Sequence, residues 1–153
     1  MKDQYVADIG DYGKYSLLRA FAKEGVCVGV NWYYTSNDES NDGKFKEYLD
    51  DTDRFGNYCK EVFSILSSIP KDKRLIRTIE ESEIIPNAHY YHDIVEFEGT
   101  PADRYNKRIE WSKKGQKELA SAELVYLDPD NGLLTNKRYS RRKIASKYVF
   151  RRK

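Results

Sequence analysis

The chain has 153 residues, 39% of them hydrophobic and 34% charged, which fits a single domain (1–153) with its own core. It has no apolar signal region at its start and no run near the roughly 18 apolar residues that a membrane span needs. Its two cysteines, Cys27 and Cys59, form neither a disulfide framework nor a CxxC site. We therefore expect a soluble, cytoplasmic protein, outside the membrane-spanning and disulfide-rich secreted classes.

The net charge of +2 hides a strong asymmetry. The C-terminal segment 137–153 carries nine basic and no acidic residues, whereas the remaining 136 residues hold 18 basic and 25 acidic ones, a net of −7. A cationic segment of this kind either lies against its own acidic body or binds a polyanion. A nucleotide or nucleic acid is thus one predicted partner of this segment, and packing onto the protein itself is the alternative.

A helix and a strand come first in the predicted order. Apolar residues recur at helical spacing after a turn that contains two glycines, with Asp11 as the expected N-cap and Gly25 as the expected stop. Residues 26–34 are β-branched, aromatic and nearly all apolar, which is typical of a strand buried on both faces in a parallel sheet. Residues 35–43 follow as a long polar loop.

Helices and strands then alternate along the rest of the chain. The apolar spacing predicts helices over 44–51, 58–69, 74–83 and 101–121, the last opened by a proline at its first turn. Strands are predicted over 88–97, 124–127 and 147–150. Strands separated by helices favour an α/β protein, specifically a Rossmann-like three-layer fold with a mostly parallel sheet.

The end of strand 124–127 is the most suggestive place for a ligand. The sequence Asp128-Pro129-Asp130-Asn131-Gly132 follows it directly, and in open α/β sheets ligands bind at the carboxyl ends of the strands. Two carboxylates two residues apart could hold Mg²⁺ or accept hydrogen bonds from ribose hydroxyls. The same residues also make a good turn, so a structural role is the alternative.

A second candidate precedes the first helix, where Asp8, Asp11 and Lys14 lie close together among glycines. Glycines allow a ligand to approach the backbone, and a helix start offers free N–H groups to an anion. With Asp128 and Asp130, these three are the candidate catalytic residues. The alternative is a capped helix with solvated charges.

Further polar residues are expected to line the same crevice. The loop 35–43 leaves the first strand at the predicted carboxyl edge of the sheet, or else is a solvated surface loop. The candidate ligand-binding residues are Asn31, Thr35, Asp38, Asn131 and Arg19, with Asp42 as a further loop candidate.

Two stretches resemble a family of uncharacterised bacterial and phage proteins. They are residues 8–19 (DIGDYGKYSLLR) and residues 127–133 (LDPDNGL), which fit the patterns D-x-x-D-[YF]-x-K-Y-x-L-L-R and D-P-D-N-G-L. The layout, with a lysine-bearing helix, a first strand and a late strand ending in Asp-Pro, is similar to that of Rossmann-type methyltransferases. The resemblance implies a Rossmann-type fold and S-adenosylmethionine as a candidate ligand.

Three functions remain open. The first is binding of a nucleotide-type ligand in a Rossmann-like crevice, as in a degenerate methyltransferase. The second is a Mg²⁺-dependent nuclease or phosphodiesterase, with Asp128 and Asp130 as metal ligands together with Asp8. The third is a non-enzymatic phage or bacterial binder that sequesters a nucleotide or blocks a host factor. The sequence leaves open whether the protein is an enzyme and what its oligomeric state is.

Overall fold

The computed structural model describes residues 1–39, 43, 45–134 and 142–150. The chain divides into two compact units. The sheet unit comprises Met1, Gly29–Ser36 and His89–Lys153, and the helical unit comprises Lys2–Val28 and Asn37–Ala88. The expectation of a single domain stays a prediction. Within the described residues, no helix is long and apolar enough to cross a membrane.

The sheet unit is built on three short parallel strands. They are β1 (Val28–Asn31), β2 (His89–Tyr91) and β3 (Leu124–Leu127), in the order β2-β1-β3. All four residues of β1 are buried, which confirms the prediction from its apolar sequence. The long helix predicted over 101–121 spans Pro101–Glu118 and connects β2 to β3. It is labelled α5 because four helices precede it in the chain. A second, two-stranded parallel sheet pairs β4 (Leu133–Leu134) with β5 (Val149–Phe150).

Two strand predictions need correction. The strand expected over 88–97 is only three residues long. The strand pairing is interrupted at Asp93, whose carbonyl accepts the Trp111 Nε1–H at 2.9 Å, and two residues later the Val95 N–H donates to the Tyr34 carbonyl at 2.9 Å. The strand expected over 147–150 spans only Val149–Phe150, because the residues before it form a 3-10 helix, Lys143–Lys147. The residues of β3 alternate between half-buried and exposed.

Aromatic side chains form the core of the sheet unit. The cluster consists of Tyr33, Tyr91, Val95, Trp111 and Leu119. The Trp111 ring meets Tyr33 edge-on with 4.9 Å between centroids, and it meets Tyr91 at 5.2 Å. Such tilted contacts add to the free energy gained from burial. The cluster therefore fixes α5 on the chain that follows β1 and β2.

The helical unit holds the four shorter helices. They are α1 (Ile9–Lys23), α2 (Thr52–Phe55), α3 (Lys60–Ser68) and α4 (Ile76–Glu81). The N-cap of α1 is Asp8 and not Asp11 as predicted, because the Asp8 carboxylate accepts the Gly10 N–H at 2.9 Å while Asp11 is buried one turn inside. The helix ends as predicted before Gly25, whose φ of +86° suits glycine. Where a helix was predicted over 44–51, the described residues 45–51 form only a 3-10 helix, Glu47–Asp50.

Two glycines inside helices make a matched pair for testing the packing of α5. A Cβ on Gly115 would lie 2.6 Å from Tyr91 Cδ1 and 3.3 Å from Asn31 Nδ2, whereas a Cβ on Gly13 in α1 meets nothing within 4 Å. The Tyr91 ring cannot yield easily, because it is buried and its hydroxyl donates to the Trp111 carbonyl at 2.9 Å.

We expect Gly115→Ala to lower the free energy of unfolding by about 1–2 kcal/mol, since the cost of overpacking exceeds the gain in helix propensity. Gly13→Ala should instead raise it by up to ~1 kcal/mol. Urea unfolding of Gly115→Ala is measured by tryptophan fluorescence, because Trp32 and Trp111 both belong to the sheet unit. Urea unfolding of Gly13→Ala is measured by far-UV circular dichroism. Equal effects of the two substitutions on the free energy of unfolding would contradict the close approach of α5 to Tyr91.

Candidate functional site

The carboxylate of Asp11 is buried and fully engaged within the helical unit. Its Oδ2 accepts the Ala7 N–H at 3.0 Å and the Tyr15 hydroxyl at 3.2 Å, and its Oδ1 lies 2.7 Å from the Lys14 ammonium. Both side chains of this ion pair are at most one-tenth exposed. A buried carboxylate with this set of donors is stabilised in its charged form. The structure therefore brings two of the predicted catalytic residues together, in an ion pair.

The rest of the first motif ties α1 to other parts of the helical unit. The second oxygen of Asp8 accepts the Phe45 N–H at 3.2 Å. The Tyr12 hydroxyl donates to the Phe55 carbonyl at 2.8 Å and accepts the Cys59 N–H at 2.9 Å. Arg19 donates to the Ile84 carbonyl at 3.0 Å. These contacts give the motif a structural role in holding α1, and the catalytic roles of its residues stay predictions.

The Asp-Pro-Asp-Asn-Gly turn lies in the sheet unit and is also engaged. Asp128 extends the strand pairing by donating its N–H to the Asn31 carbonyl at 2.9 Å. Asp130 is nearly buried, with its Oδ1 2.8 Å from the Met1 ammonium and its Oδ2 3.9 Å from Lys147 Nζ. Both carboxylates thus lie at the end of β3, as the sequence predicts.

The candidate ligand-binding residues are distributed over both units. Asn31 accepts the Tyr33 N–H at 3.1 Å, and Thr35 donates its N–H to the Met1 carbonyl at 3.0 Å, both in the sheet unit. Asp38 belongs to the helical unit, where it forms an ion pair with the buried ammonium of Lys2. Asp42 lies outside the described residues.

The predicted site residues therefore fall into two groups. Those of the sheet unit are Asn31, Thr35, Asp128, Asp130 and Asn131, and those of the helical unit are Asp8, Asp11, Lys14, Arg19 and Asp38. Among the described residues, no group of three or more His, Cys, Asp or Glu side chains is placed to hold a metal ion. The assignment of Mg²⁺ to Asp128 and Asp130 stays a prediction.

A pocket with several cations lies elsewhere in the sheet unit, and we call it the basic pocket. Its walls come from the chain after β2, from the first turns of α5 and from the segment after residue 141. The lining residues are Val95, Phe97, Arg104, Arg108, Arg142, Lys143, Ala145 and Ser146. Four of the eight are cationic, so the pocket is suited to an anion.

Only half of the cations in this pocket lie in a segment that the sequence predicts to bind an anion. Arg142 and Lys143 belong to the basic segment 137–153, which was singled out for a polyanionic partner. Arg104 and Arg108 were missed, although their spacing of four residues places them on one face of the predicted helix. The signal available in the sequence for this pocket was a pair of arginines at that spacing on a helix that also has an aromatic face.

Arg108 is the most buried cation of the pocket and connects α5 to the segment after residue 141. The guanidinium is buried and donates to the carbonyls of Tyr148 at 2.6 Å and Ser146 at 3.3 Å. It also lies about 5 Å from the ring centroids of Tyr33, Trp111 and Phe150 (5.0, 4.8 and 5.0 Å). Arg108 therefore fixes the segment around Tyr148 against α5.

Burial affects the ionisation of Arg108 and of the tyrosine beside it. Desolvation lowers the pKa of Arg108 to about 10, although the neighbouring Tyr33 hydroxyl acts in the opposite direction. Desolvation likewise raises the pKa of Tyr33, and Arg108 opposes that rise. At neutral pH the guanidinium is therefore protonated and the phenol is neutral.

The other cations lie nearer to the rim of the basic pocket. Arg104 donates to the Gly99 carbonyl, and Lys143 lies 2.8 Å from the Glu98 carboxylate in an exposed ion pair. The first turn of α5 is fixed by a reciprocal cap in which Thr100 and Asp103 each accept the other's backbone N–H. The cap holds Arg104 in register with the pocket.

Comparisons with known proteins give no further identification. No family model matches the chain, no curated protein matches it, and no solved structure does. The resemblance of residues 8–19 and 127–133 to a bacterial and phage family stays a prediction.

The structural role of the Asp11–Lys14 ion pair can be tested by substitution. We expect Asp11→Asn to lower the free energy of unfolding of the helical unit by about 2–4 kcal/mol, since it leaves the Lys14 ammonium buried without its partner. Far-UV circular dichroism during thermal unfolding measures the change, and Asp72→Asn, an exposed acid of the same unit, is the matched control. A midpoint unchanged from the wild type would show that the pair does not hold the unit together.

Arg108 generates a second test. We expect Arg108→Met to destabilise the segment around Tyr148 by about 2–4 kcal/mol, because both carbonyls lose a charged donor. Hydrogen exchange should accelerate at the amides of Asn131 and Val149, which bond to the Lys147 and Gly132 carbonyls. Lys113→Gln, an exposed cation of α5, should leave these amides as protected as in the wild type. Unchanged protection in Arg108→Met would contradict the anchoring role.

Proposed function

We propose that the protein binds a phosphate-bearing ligand, a nucleotide or a nucleic acid, at the mouth of the basic pocket of the sheet unit, whose interior of about 20 Å³ is too small to enclose a phosphate group. The observation that carries the proposal is the convergence of Arg104, Arg108, Arg142 and Lys143 on one pocket. Arginine presents a planar set of donors that matches phosphate oxygens, and lysine adds a mobile point charge. These are the side chains by which proteins most often hold phosphate groups.

The surroundings of the cations favour an anion further. Val95 and Phe97 form an apolar part of the wall, and the lower dielectric on that side strengthens the attraction between the cations and an anion. Arg108 is held by two carbonyls and three rings, and its role is to position the wall. The direct contacts to phosphate are therefore assigned to Arg104, Arg142 and Lys143.

The two predictions for segment 137–153, packing onto the protein and binding a polyanion, are compatible with each other. Residues 142–150 pack on the sheet unit through Arg108 and through β5, and Arg142 and Lys143 also line the pocket. This part of the basic segment thus packs onto the protein and supplies charge for an anion. Binding of this kind requires no three-layer Rossmann-like sheet, and that fold, S-adenosylmethionine as ligand and the nuclease reaction stay predictions.

The test is binding of a fluorescent dT12 oligonucleotide, measured by anisotropy over a range of salt concentrations. We expect measurable affinity that falls steeply with salt, because bound phosphates release counterions. Arg104→Gln and Lys143→Gln should each weaken binding by about tenfold, which corresponds to roughly 1.4 kcal/mol. Each should also reduce the salt slope by about one.

Lys73→Gln is the matched control, because Lys73 is an exposed cation of the helical unit and its loss changes the net charge by the same amount. Equal losses of affinity in all three variants would mean that the oligonucleotide is attracted only by the overall charge of the protein and not by the basic pocket. Absence of binding to the oligonucleotide, to ATP and to tripolyphosphate at low salt would overturn the proposed function.

A further inference from the structure

Two aromatic rings lie beside the cations of the basic pocket. Tyr105 directly follows Arg104 on α5, and Phe150 is the second residue of β5. Their rings are stacked, with 6.4 Å between centroids and 18° between planes. The Phe150 ring also lies 5.0 Å from the buried guanidinium of Arg108. The two rings are therefore held by the same arginine that fixes the segment after residue 141.

The pair of rings is partly open to solvent. Tyr105 and Phe150 are half-buried, and neither belongs to the buried aromatic cluster that forms the core of the sheet unit. Aromatic side chains that remain partly exposed next to cations are the means by which proteins bind single-stranded nucleic acids: the cations contact phosphates and the rings stack on bases. The sheet unit places both kinds of side chain together.

We propose that Tyr105 is a specificity-determining residue that stacks on a nucleobase of the ligand bound at the mouth of the basic pocket. This inference rests on the proposed function and names the ligand class of the same site. The shared chemistry is a nucleobase joined to phosphate, which a free nucleotide and a single-stranded nucleic acid both provide.

The position of Tyr105 on α5 suits this role. Arg104 and Arg108 both line the pocket. Tyr105 is next to Arg104 in the sequence and three residues before Arg108, a spacing that makes two side chains neighbours on a helix. A phosphate held by Arg104 therefore leaves the attached base within reach of the Tyr105 ring.

Stacking distinguishes ligands by the presence of a base. Every nucleobase has a flat π face, whereas a bare chain of phosphates or an abasic sugar-phosphate backbone has none. Tyr105 thus adds affinity only for ligands with a base, while the cations act on all of these ligands. Because Phe150 already holds the ring, little further ordering of the side chain opposes the stacking.

The experiment compares two pairs of probes that differ by the presence of bases. The first pair is fluorescent dT12 and an abasic 12-mer with the same backbone, measured by anisotropy. The second is ATP and tripolyphosphate, measured by calorimetry. We expect the wild type to bind the base-bearing member of at least one pair about tenfold more tightly.

Two substitutions of Tyr105 and one control isolate the ring. Tyr105→Leu should remove this preference and leave the affinity for the abasic probes unchanged, because it keeps an apolar side chain against Phe150 without an aromatic ring. Tyr105→Phe keeps the ring and should keep the preference. Tyr58→Leu, at a tyrosine of the helical unit that is 79% exposed, should also keep it.

The outcomes separate this inference from the proposed function. If the wild type binds none of the four probes, both fail. If the wild type binds but shows no preference in either pair, or if Tyr105→Leu weakens both members of a pair by the same factor, stacking by Tyr105 is wrong while the proposed function stands. A preference only for dT12, or only for ATP, that Tyr105→Leu removes supports the inference and identifies nucleic acid or free nucleotide as the source of the base.

Discussion

The desolvation of one guanidinium governs the architecture of the sheet unit. A charge removed from water must regain its lost hydration from the protein. Arg108 does so through two backbone carbonyls and three aromatic rings. Those carbonyls belong to the segment that ends in β5, and two of the rings belong to the core that packs α5. Because the partners of the charge come from three stretches of chain (Tyr33 after β1, Trp111 on α5 and residues 146–150), satisfying it places the C-terminal segment, the helix and the core together.

The helical unit also contains a buried charge that the protein must compensate, and here the charge is negative. The buried carboxylate of Asp11 is compensated by a backbone N–H, a phenol and the ammonium of Lys14. Ala7 donates that N–H and has a positive φ of 67°, an unfavourable conformation for alanine that the bond to Asp11 helps to hold. The Tyr48 hydroxyl donates to the Ala7 carbonyl at 3.3 Å. The motif at residues 8–19 can therefore be explained by packing and charge compensation around the start of α1.

The sequence predicts elements well where a single physical signal dominates. The apolar run of β1, the glycine after α1 and the proline that opens α5 each identify an element correctly. Prediction fails where a side chain from elsewhere takes over the backbone's hydrogen bonds, as Trp111 does for Asp93 after β2. It also fails for Arg108, because a hydropathy pattern assigns an arginine to solvent, and only the three-dimensional arrangement shows that rings and carbonyls surround it. The two candidate acids follow β3, but the partners of the Asp130 carboxylate, Met1 and Lys147, come from other parts of the sequence.

The structural and binding roles proposed for the basic pocket are connected through Arg108. Arg142 and Lys143 reach the pocket only because the segment that follows them is fixed to α5. A long flexible side chain loses rotamer entropy when it binds a ligand. If the backbone that carries it is already fixed, binding requires less further ordering. Under the proposed function, the most buried arginine contributes to affinity without contacting the ligand, and the cations at the rim make the contacts. This proposed division of roles accounts for the very different exposure of the four cations around one pocket.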